Sequence, residues 1–271
     1  MNLSVLISAY INCSESYIKQ ALKSIYEDQF LKPNQIVIVL DGPVKSNLLN
    51  FVLTFKQECP CEVIVHRIKK SQGFGNALNQ GLKLCKGKYI ARMDTDDIAL
   101  PDRFSSQIEF LEKNPDIDVL GTWISEINEL NKVTRDEVRY PITNEECFES
   151  FAKRDPVAHP SVIFRESYFA KAGLYSIEAH LFEDTVMWHQ GFKTGCRFYN
   201  LPKVCLKYRR SEDFFTRRSN IRANFELLKY RFRHINKDLN YGAKGNFFAV
   251  LYFFMQFNPS FVRRFLYNKF R

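Results

Sequence analysis

The sequence predicts an α/β protein with a mostly parallel central sheet flanked by helices. Three observations carry that prediction. Apolar runs of strand length alternate with segments of helical spacing through the first hundred residues. Polar residues gather just beyond the ends of those runs. The chain has 271 residues, 45% hydrophobic and 25% charged, which excludes disorder as its main state and is long enough for one large domain with an appendage.

Leu3 to Ala9 reads as a buried strand, and Ser14 to Glu27 places Ile18, Ala21, Leu22 and Ile25 at helical spacing. Gln35 to Leu40 is a second strand ending at Asp41-Gly42-Pro43, so these segments make a β-α-β unit. Lys45 to Gln57 is a helix candidate and Glu62 to His66 a third strand. Phe74, Ala77, Leu78, Gly81, Leu82 and Cys85 share one helical face before a fourth strand, Lys88 to Met93. Pro101 suits the first residue of a helix whose inner face carries Phe104, Ile108 and Leu111. Val119 to Ser125 is a further strand, and 126–156 is polar and mixed, predicting loops with a short helix. His159 to Phe164 is extended, a helix runs from Glu183 to Gln190, and Val204 to Tyr208 is the last strand.

Beyond that point the composition changes. From Lys203 to Arg271 there are 16 Lys and Arg against 4 Asp and Glu, and 17 of the chain's 40 aromatic residues, whereas residues 1–202 are slightly acidic. The expected organisation is a folded domain over 1–215, with halves at 1–100 and 101–215, and a helical, basic and aromatic extension over 216–271. Arg217, Arg218, Arg222, Lys229, Arg231 and Arg233 are spaced for a basic surface, and Phe247 to Phe270 supplies apolar contact. Cationic and aromatic character together suit an anionic membrane surface, with a packed extension or an oligomer interface as the alternative. Basic residues confined to one end do not suit nucleic acid. The seven cysteines form no C-x-x-C pair and fit a reducing compartment rather than a disulfide framework or a zinc site. The N-terminus has no basic region of the secretory kind, and the longest apolar stretch is about half the ~20 residues that cross a bilayer.

The chemistry collects at strand ends. Asp94-Thr95-Asp96-Asp97 sets three carboxylates in four residues, a pattern for a hard divalent cation such as Mg²⁺ or Mn²⁺, or else an acidic cap for the next helix. Asp41 could accept a hydrogen bond from a base or ribose, or start the turn at Gly42-Pro43. Gly73-Phe74-Gly75 is not a dinucleotide fingerprint, because Leu78 stands where the third glycine belongs and the segment follows the third strand. Small residues opening a helix can still admit a phosphate. Asp94-Thr95-Asp96 lacks the position and the following residue of an aspartyl phosphatase motif. Glu183-Asp184 opens a helix near Phe182 and Trp188, where a carboxylate serves either as a cap or as a general base.

The series Ser4 to Asn12, Val37 to Gly42, Gly73 to Gly81 and Tyr89 to Asp97, followed by His159-Pro160-Ser161-Val162, Glu183-Asp184 and Tyr208-Arg209, resembles family 2 glycosyltransferases of the GT-A fold. It is most similar to the bacterial branch that builds surface polysaccharides, over roughly residues 1–215. The resemblance implies donor-nucleotide contacts from Ala9, Tyr10, Asn12, Asp41, Gly73, Asp94 and Arg209, and a D-x-D of Asp94 and Asp96 around Mg²⁺ or Mn²⁺. It implies Asp184 as catalytic base, with His159, Glu183 and Trp188 toward the acceptor. The expected reaction is inverting transfer from a nucleotide-diphosphate sugar, UDP by preference, to a glycan hydroxyl on a lipid diphosphate carrier. The expected place is the cytoplasmic face of the plasma membrane. Two positions depart from the family: Leu78 where many relatives carry Arg, and Ser211 where many carry His. Lys69 or Lys70 could replace the first. A sugar nucleotidyltransferase would open with a glycine-rich loop where this chain has Ala9-Tyr10-Ile11-Asn12. A non-enzymatic membrane- or nucleic-acid-binding protein would leave Asp41, Asp94, Asp96 and Asp184 without a purpose.

Overall fold

A computed structural model describes residues 2–210, 220–256 and 258. Its first half alternates β1 (Leu3–Ala9), α1 (Glu15–Ile25), β2 (Gln35–Asp41), α2 (Ser46–Glu58), β3 (Glu62–Ile68), α3 (Phe74–Leu82) and β4 (Tyr89–Met93). Every residue of β2 and β4 is buried, as expected for strands covered on both faces, and this explains their mostly apolar character, with Gln35, Asp41 and Arg92 as the polar exceptions. Helix α3 lies close on the sheet at Gly81, where a Cβ would stand 2.3 Å from Leu6 Cδ1 and 2.8 Å from Val39 Cγ2. Only glycine permits that approach.

The second half comprises β5 (Ile98–Ala99), α4 (Arg103–Lys113), β6 (Val119–Ile127), β7 (Val133–Val138), α5 (Asn144–Phe151), a 3₁₀ turn (His159–Ser161), β8 (Ile163–Arg165), α6 (Ser167–Ala172), α7 (Glu183–Lys193) and β9 (Phe198–Arg209). The sheet runs β3-β2-β1-β4-β8-β6-β9-β5, with β7 against β6. Strands β3, β2, β1 and β4 are parallel. Strand β8 is antiparallel to both β4 and β6, and β9 is parallel to β6. One reversed strand therefore leaves β6 and β9 pointing the same way as β1 to β4, and the carboxyl ends of all six open on one edge. Register sharpens this: Ala9 pairs with Leu40 and Ile7 with Met93, so Tyr10, Asp41 and Asp94 emerge together.

The sequence expectations meet the structure with four differences. The polar stretch 126–156 holds strand β7 as well as helix α5, and β7 was hidden because Thr134, Arg135, Asp136 and Glu137 give an edge strand no apolar alternation. His159-Pro160-Ser161 form a 3₁₀ turn, with Pro160 inside it, so extended structure begins only at Ile163. Pro101 precedes α4 rather than opening it. Strand β9 begins at Phe198, passing Pro202 through a shift of its register against β6.

The extension contributes α8 (Ile221–Tyr230), a π-helical turn (Arg231–Ile235), α9 (Asn236–Asp238) and α10 (Gly242–Met255). Asn220 caps α8 by accepting from Ala223 N–H at 3.1 Å. The expected boundary at 215, with Arg217, Arg218 and Ser211, lies outside the described residues, as does most of the apolar stretch after Met255. Among the described residues no helix is long and apolar enough to cross a membrane. Leu227 of α8 packs with Ala179, Phe182 and Val186 at the start of α7, and Tyr230 and Tyr252 close over them. Further along α7, His189 is buried with Nδ1 2.9 Å from the Tyr230 hydroxyl and Nε2 3.2 Å from Asp238 Oδ2.

Burial pushes the His189 pKa down to about 4, with Lys193 and His234 adding to the effect and Asp238 opposing it. A histidine depressed in the folded state contributes stability that is complete above the ordinary pKa near 6.5 and fades as pH falls toward 4. Thermal unfolding of the wild type and His189→Gln between pH 7 and pH 4 should therefore converge: the wild type loses Tm relative to the variant as pH falls. A Tm difference constant across that range would contradict this linkage.

Candidate active site

The common edge of the sheet brings four loops together. The turn after β1 is tied to the acidic loop after β4 by Cys13, whose Sγ accepts from Tyr10 N–H at 3.3 Å and lies 3.2 Å from Thr95 Oγ1. Burial pushes the Cys13 thiol pKa up, so the sulfur stays protonated. Ala9 is buried while Tyr10 and Asn12 are exposed at the rim. At the end of β2, Asp41 accepts from the Ser71 hydroxyl at 2.8 Å and from Gln72 N–H at 3.1 Å. It thereby fixes the loop that enters α3. Gly42 (φ +86°) permits this, because a Cβ there would stand 2.9 Å from Ser71 N. Gly73 (φ +93°) precedes α3, and a Cβ on Gly75 would strike the Ser176 carbonyl at 2.4 Å. The start of α3 is thus packed directly against the loop leading to α7.

The acidic loop is the electrostatic centre. Oxygens of Asp94, Asp96 and Asp97 all lie within 4.8 Å of one another. Asp97 is buried, and desolvation, with Asp96 and Asp94 beside it, raises its pKa well above the usual carboxylate range. One Asp97 oxygen accepts from Arg209 N–H at 2.8 Å. Arg92, 3% exposed at the end of β4, sets Nη1 2.5 Å from Asp94 Oδ1 and its guanidinium over the Phe74 ring at 5.0 Å. These are hard oxygen donors around a shared point with a net excess of negative charge. They fit a divalent cation such as Mg²⁺ or Mn²⁺, held by Asp94 and Asp96, and the metal's identity is not fixed by the donor set.

Arg209 departs from expectation. It was placed at the donor diphosphate, but it is 3% exposed and its guanidinium is turned to main-chain carbonyls, donating to Asp96 O at 2.7 Å and Asn128 O at 2.9 Å. It also stacks over Tyr17 at 4.1 Å. The residue braces the acidic loop. Trp188 departs as well. It is 0% exposed on the inner face of α7, packed against His159, Phe164 and Phe198, and offers an acceptor no surface. Helical spacing from Asp184 suggested proximity to the site, but the indole points to the core.

On the opposite wall, α7 opens with Glu183 and Asp184. Asp184 is partly exposed and its Oδ1 accepts from Thr185 N–H at 2.9 Å. Glu183 is buried beside Gly75, and desolvation raises its pKa, partly offset by backbone N–H groups of its own residue and Leu181. His159 is buried with Nε2 2.8 Å from the Tyr175 hydroxyl, and burial, with Arg92 nearby, holds its pKa well below the usual value. Burial raises the Tyr175 pKa; Arg92 opposes that rise, and Asp184 and Asp94 both add to it. The charges of Asp184 and Asp94, from different halves of the chain, are thus both felt at the Tyr175 hydroxyl.

Arg92 and Tyr175 carry no expected role in the sequence reading. Arg92 had one visible signal, a single cation inside the otherwise buried strand Tyr89 to Met93; Tyr175 had none, since its loop lacks periodicity.

Comparison with known proteins agrees with this geometry. The family described as "Glycosyl transferase family 2" matches residues 4–170. The amylovoran biosynthesis glycosyltransferase AmsE of Erwinia amylovora is 32% identical over 98% of both chains. The UDP-Gal:alpha-D-GlcNAc-diphosphoundecaprenol beta-1,3-galactosyltransferase of Escherichia coli is 28% identical over 98% of this chain and 95% of its own. The structure of S. aureus TarS residues 1–349 with UDP-GlcNAc superimposes with a TM-score of 0.64 at 18% identity, over 84% of this chain and 67% of that one. The latter is a likeness of fold.

If the acidic loop holds a cation, the folded state gains stability by mass action when that cation is added. MnCl₂ should raise the Tm of the wild type in a concentration-dependent way and leave that of Asp94→Ala unmoved. Equal shifts in the two proteins would place the cation elsewhere.

Proposed function

The chain belongs to glycosyltransferase family 2, and on that footing we propose that it is an inverting hexosyltransferase acting in bacterial surface polysaccharide synthesis, in O-antigen, capsule or exopolysaccharide. Its donor is a nucleotide-diphosphate sugar, a UDP-hexose, and its acceptor a hydroxyl of a glycan on a lipid diphosphate carrier. Support for the acceptor class comes from the E. coli relative, named as a galactosyltransferase acting on GlcNAc-diphosphoundecaprenol, which matches nearly the whole chain. The observation that carries the chemistry is the cluster of Asp94, Asp96 and Asp97 oxygens within 4.8 Å of one another at the carboxyl edge of the sheet.

In this reading the donor lies along the carboxyl ends of β1, β2 and β4. The rim residues Ala9, Tyr10 and Asn12 and the Asp41 carboxylate contact the nucleoside, and Gly73 lets the backbone before α3 approach it. A bound Mg²⁺ or Mn²⁺ on Asp94 and Asp96 supplies Lewis-acid stabilisation of negative charge on the diphosphate. Asp184 takes the proton of the acceptor hydroxyl as its oxygen bonds to the anomeric carbon. The bond from that carbon to the diphosphate oxygen breaks, and the configuration inverts. Glu183 and the His159–Tyr175 pair shape the acceptor side, and burial keeps His159 neutral so that it holds Tyr175 without adding charge beside Arg92.

The extension supports a second part of the reading, peripheral attachment at the cytoplasmic membrane face. Phe247, Val250, Leu251 and Phe254 are exposed at spacings of three and four along α10 and so form one apolar stripe. Phe225 and Phe232 are exposed nearby in the chain, among Arg222, Lys229 and Arg233. A cation at an anionic bilayer contributes about 1 kcal/mol, so a few suffice alongside apolar contact. No nucleic acid is involved in this reading.

Asp184→Asn should lower turnover by about 10²–10⁴-fold while UDP affinity, read by calorimetry, stays within about twofold, the pattern of a lost general base. Turnover that survives the change would remove Asp184 from that role. For attachment, the full-length protein should float with phosphatidylglycerol-containing vesicles and far less with neutral ones, and Phe247→Ser combined with Phe254→Ser should release it. Flotation indifferent to those changes would assign the stripe to a protein contact instead.

A further inference from the structure

We propose that the C-terminal extension is a positioning element for the catalytic helix: Arg231, Tyr230 and Asp238 hold α7 at two points along one edge, and through α7 they set the carboxylate of Asp184. The inference rests on the reading of Asp184 as the base. Thr185 and His189 are four residues apart and so share a face of α7. Each is held from outside by part-buried polar contacts that lead to the extension.

At the first grip, the Thr185 hydroxyl donates to both oxygens of Asp155, at 2.9 and 3.0 Å. Arg231, in the π-helical turn and 5% exposed, sets Nη2 4.0 Å from the same carboxylate. Its Nη1 donates to Phe151 O at 3.0 Å and its guanidinium covers the Phe151 ring at 5.4 Å. One cation of the extension thus joins the end of α5, Asp155 and the first turn of α7. Thr185 also donates its N–H to Asp184, so the anchored residue and the base share a hydrogen bond.

At the second grip the His189 ring and the Tyr230 hydroxyl share a hydrogen bond, with Nδ1 2.9 Å from the hydroxyl oxygen. His189 Nε2 approaches Asp238 Oδ2 to 3.2 Å, a close polar contact without hydrogen-bond geometry. Lys193 completes the arrangement with Nζ 2.8 Å from Asp238 Oδ2. Between the two grips, Phe182 and Val186 pack on Leu227. A directional hydrogen bond has fewer alternative geometries than an apolar contact, and so it constrains the rotation of a helix as well as its distance. Misplacing a catalytic group by about 1 Å costs as much as 10²-fold in rate, so a small turn of α7 suffices to matter.

The test uses the full-length chain with UDP-galactose and a GlcNAc-diphosphate-lipid acceptor. Tyr230→Phe and Arg231→Gln should each lower kcat by about tenfold or more, while UDP affinity stays within twofold and Arg231→Lys recovers part of the loss. In the Asp184→Asn background the same changes should lower the residual rate no further, because both act through one group. The proposal is overturned by unchanged kcat in folded variants, by UDP affinity falling in step with kcat, or by an undiminished further fall in the Asp184→Asn background. If the wild type is inactive on this substrate pair, the substrate reading fails and hydrogen exchange decides the present one. Amides of Thr185 and Val186 should then exchange at least tenfold faster in Tyr230→Phe, with β1 and β4 unchanged, and unaltered exchange in α7 overturns it.

Discussion

The arrangement of the molecule turns on concentrated negative charge at the end of β4. Three carboxylates within 4.8 Å repel one another, and the fold answers with two buried arginines used differently. Arg92 sets its charge directly against Asp94, from inside the strand. Arg209 contributes its main-chain N–H to Asp97 and turns its guanidinium to the main-chain carbonyl of Asp96, so it fixes the backbone of the acidic loop. Burying an arginine is costly unless its donors are met. The carbonyls of residues 96 and 128 meet that need for Arg209, and they also pin the acidic loop to the turn between β6 and β7.

This constraint explains why the second half of the chain has its topology. Arg209 reaches Asp97 because β5, which follows the acidic loop, pairs antiparallel with β9 and sets Ile98 opposite Lys207, while β8, antiparallel to both β4 and β6, leaves β9 running the same way as β4. The reversal also carries His159 and the 3₁₀ turn to the same edge, where the Arg92 main-chain N–H donates to Val162 O. Gln107 of α4 holds this turn from beneath, donating to Leu120 O and Ser161 O at 2.9 Å each. The end of β4, the start of β6 and the 3₁₀ turn are therefore parts of one hydrogen-bonded frame. The family match covers the acidic loop within residues 4–170.

Legibility of the sequence followed the physics of each element. Strands β1, β2 and β4 were readable because both their faces are buried, and so was Asp41-Gly42, because a carboxylate followed by a glycine marks a strand end. Strand β7 was not, since an edge strand with one exposed face needs no apolar run. The acidic loop and Glu183-Asp184 were legible as residue types but not in their placement; the start of α3, with Phe74 under Arg92 and Gly75 beside Glu183, links the two only through tertiary packing. Arg209 and Trp188 show the same limit from the other side. Each has the residue type of a ligand contact, and each is directed inward by its partners, Asp96 and the carbonyl of Asn128 for one, His159 and Phe198 for the other.

The extension has two faces of unlike chemistry, and the contrast says what each does. Facing α7 are Tyr230, Arg231 and Asp238, polar groups with named partners and defined geometry. Facing outward are Phe247, Val250, Leu251 and Phe254, apolar groups whose attraction to a surface is non-directional. A purely structural appendage would bury its phenylalanines and expose its charges, as α1 does with Ile18, Leu22 and Ile25 inward. Here Gly245 brings α10 close to Asn236 instead, with Ala249 the other buried residue of the helix and Tyr252 packed toward α7, while Phe247 and Phe254 are exposed. Under the proposed attachment, the contacting residues Phe247, Val250, Leu251 and Phe254 are separate from Tyr230, Arg231 and Asp238, so holding the protein by that face leaves the contacts to α7 in place.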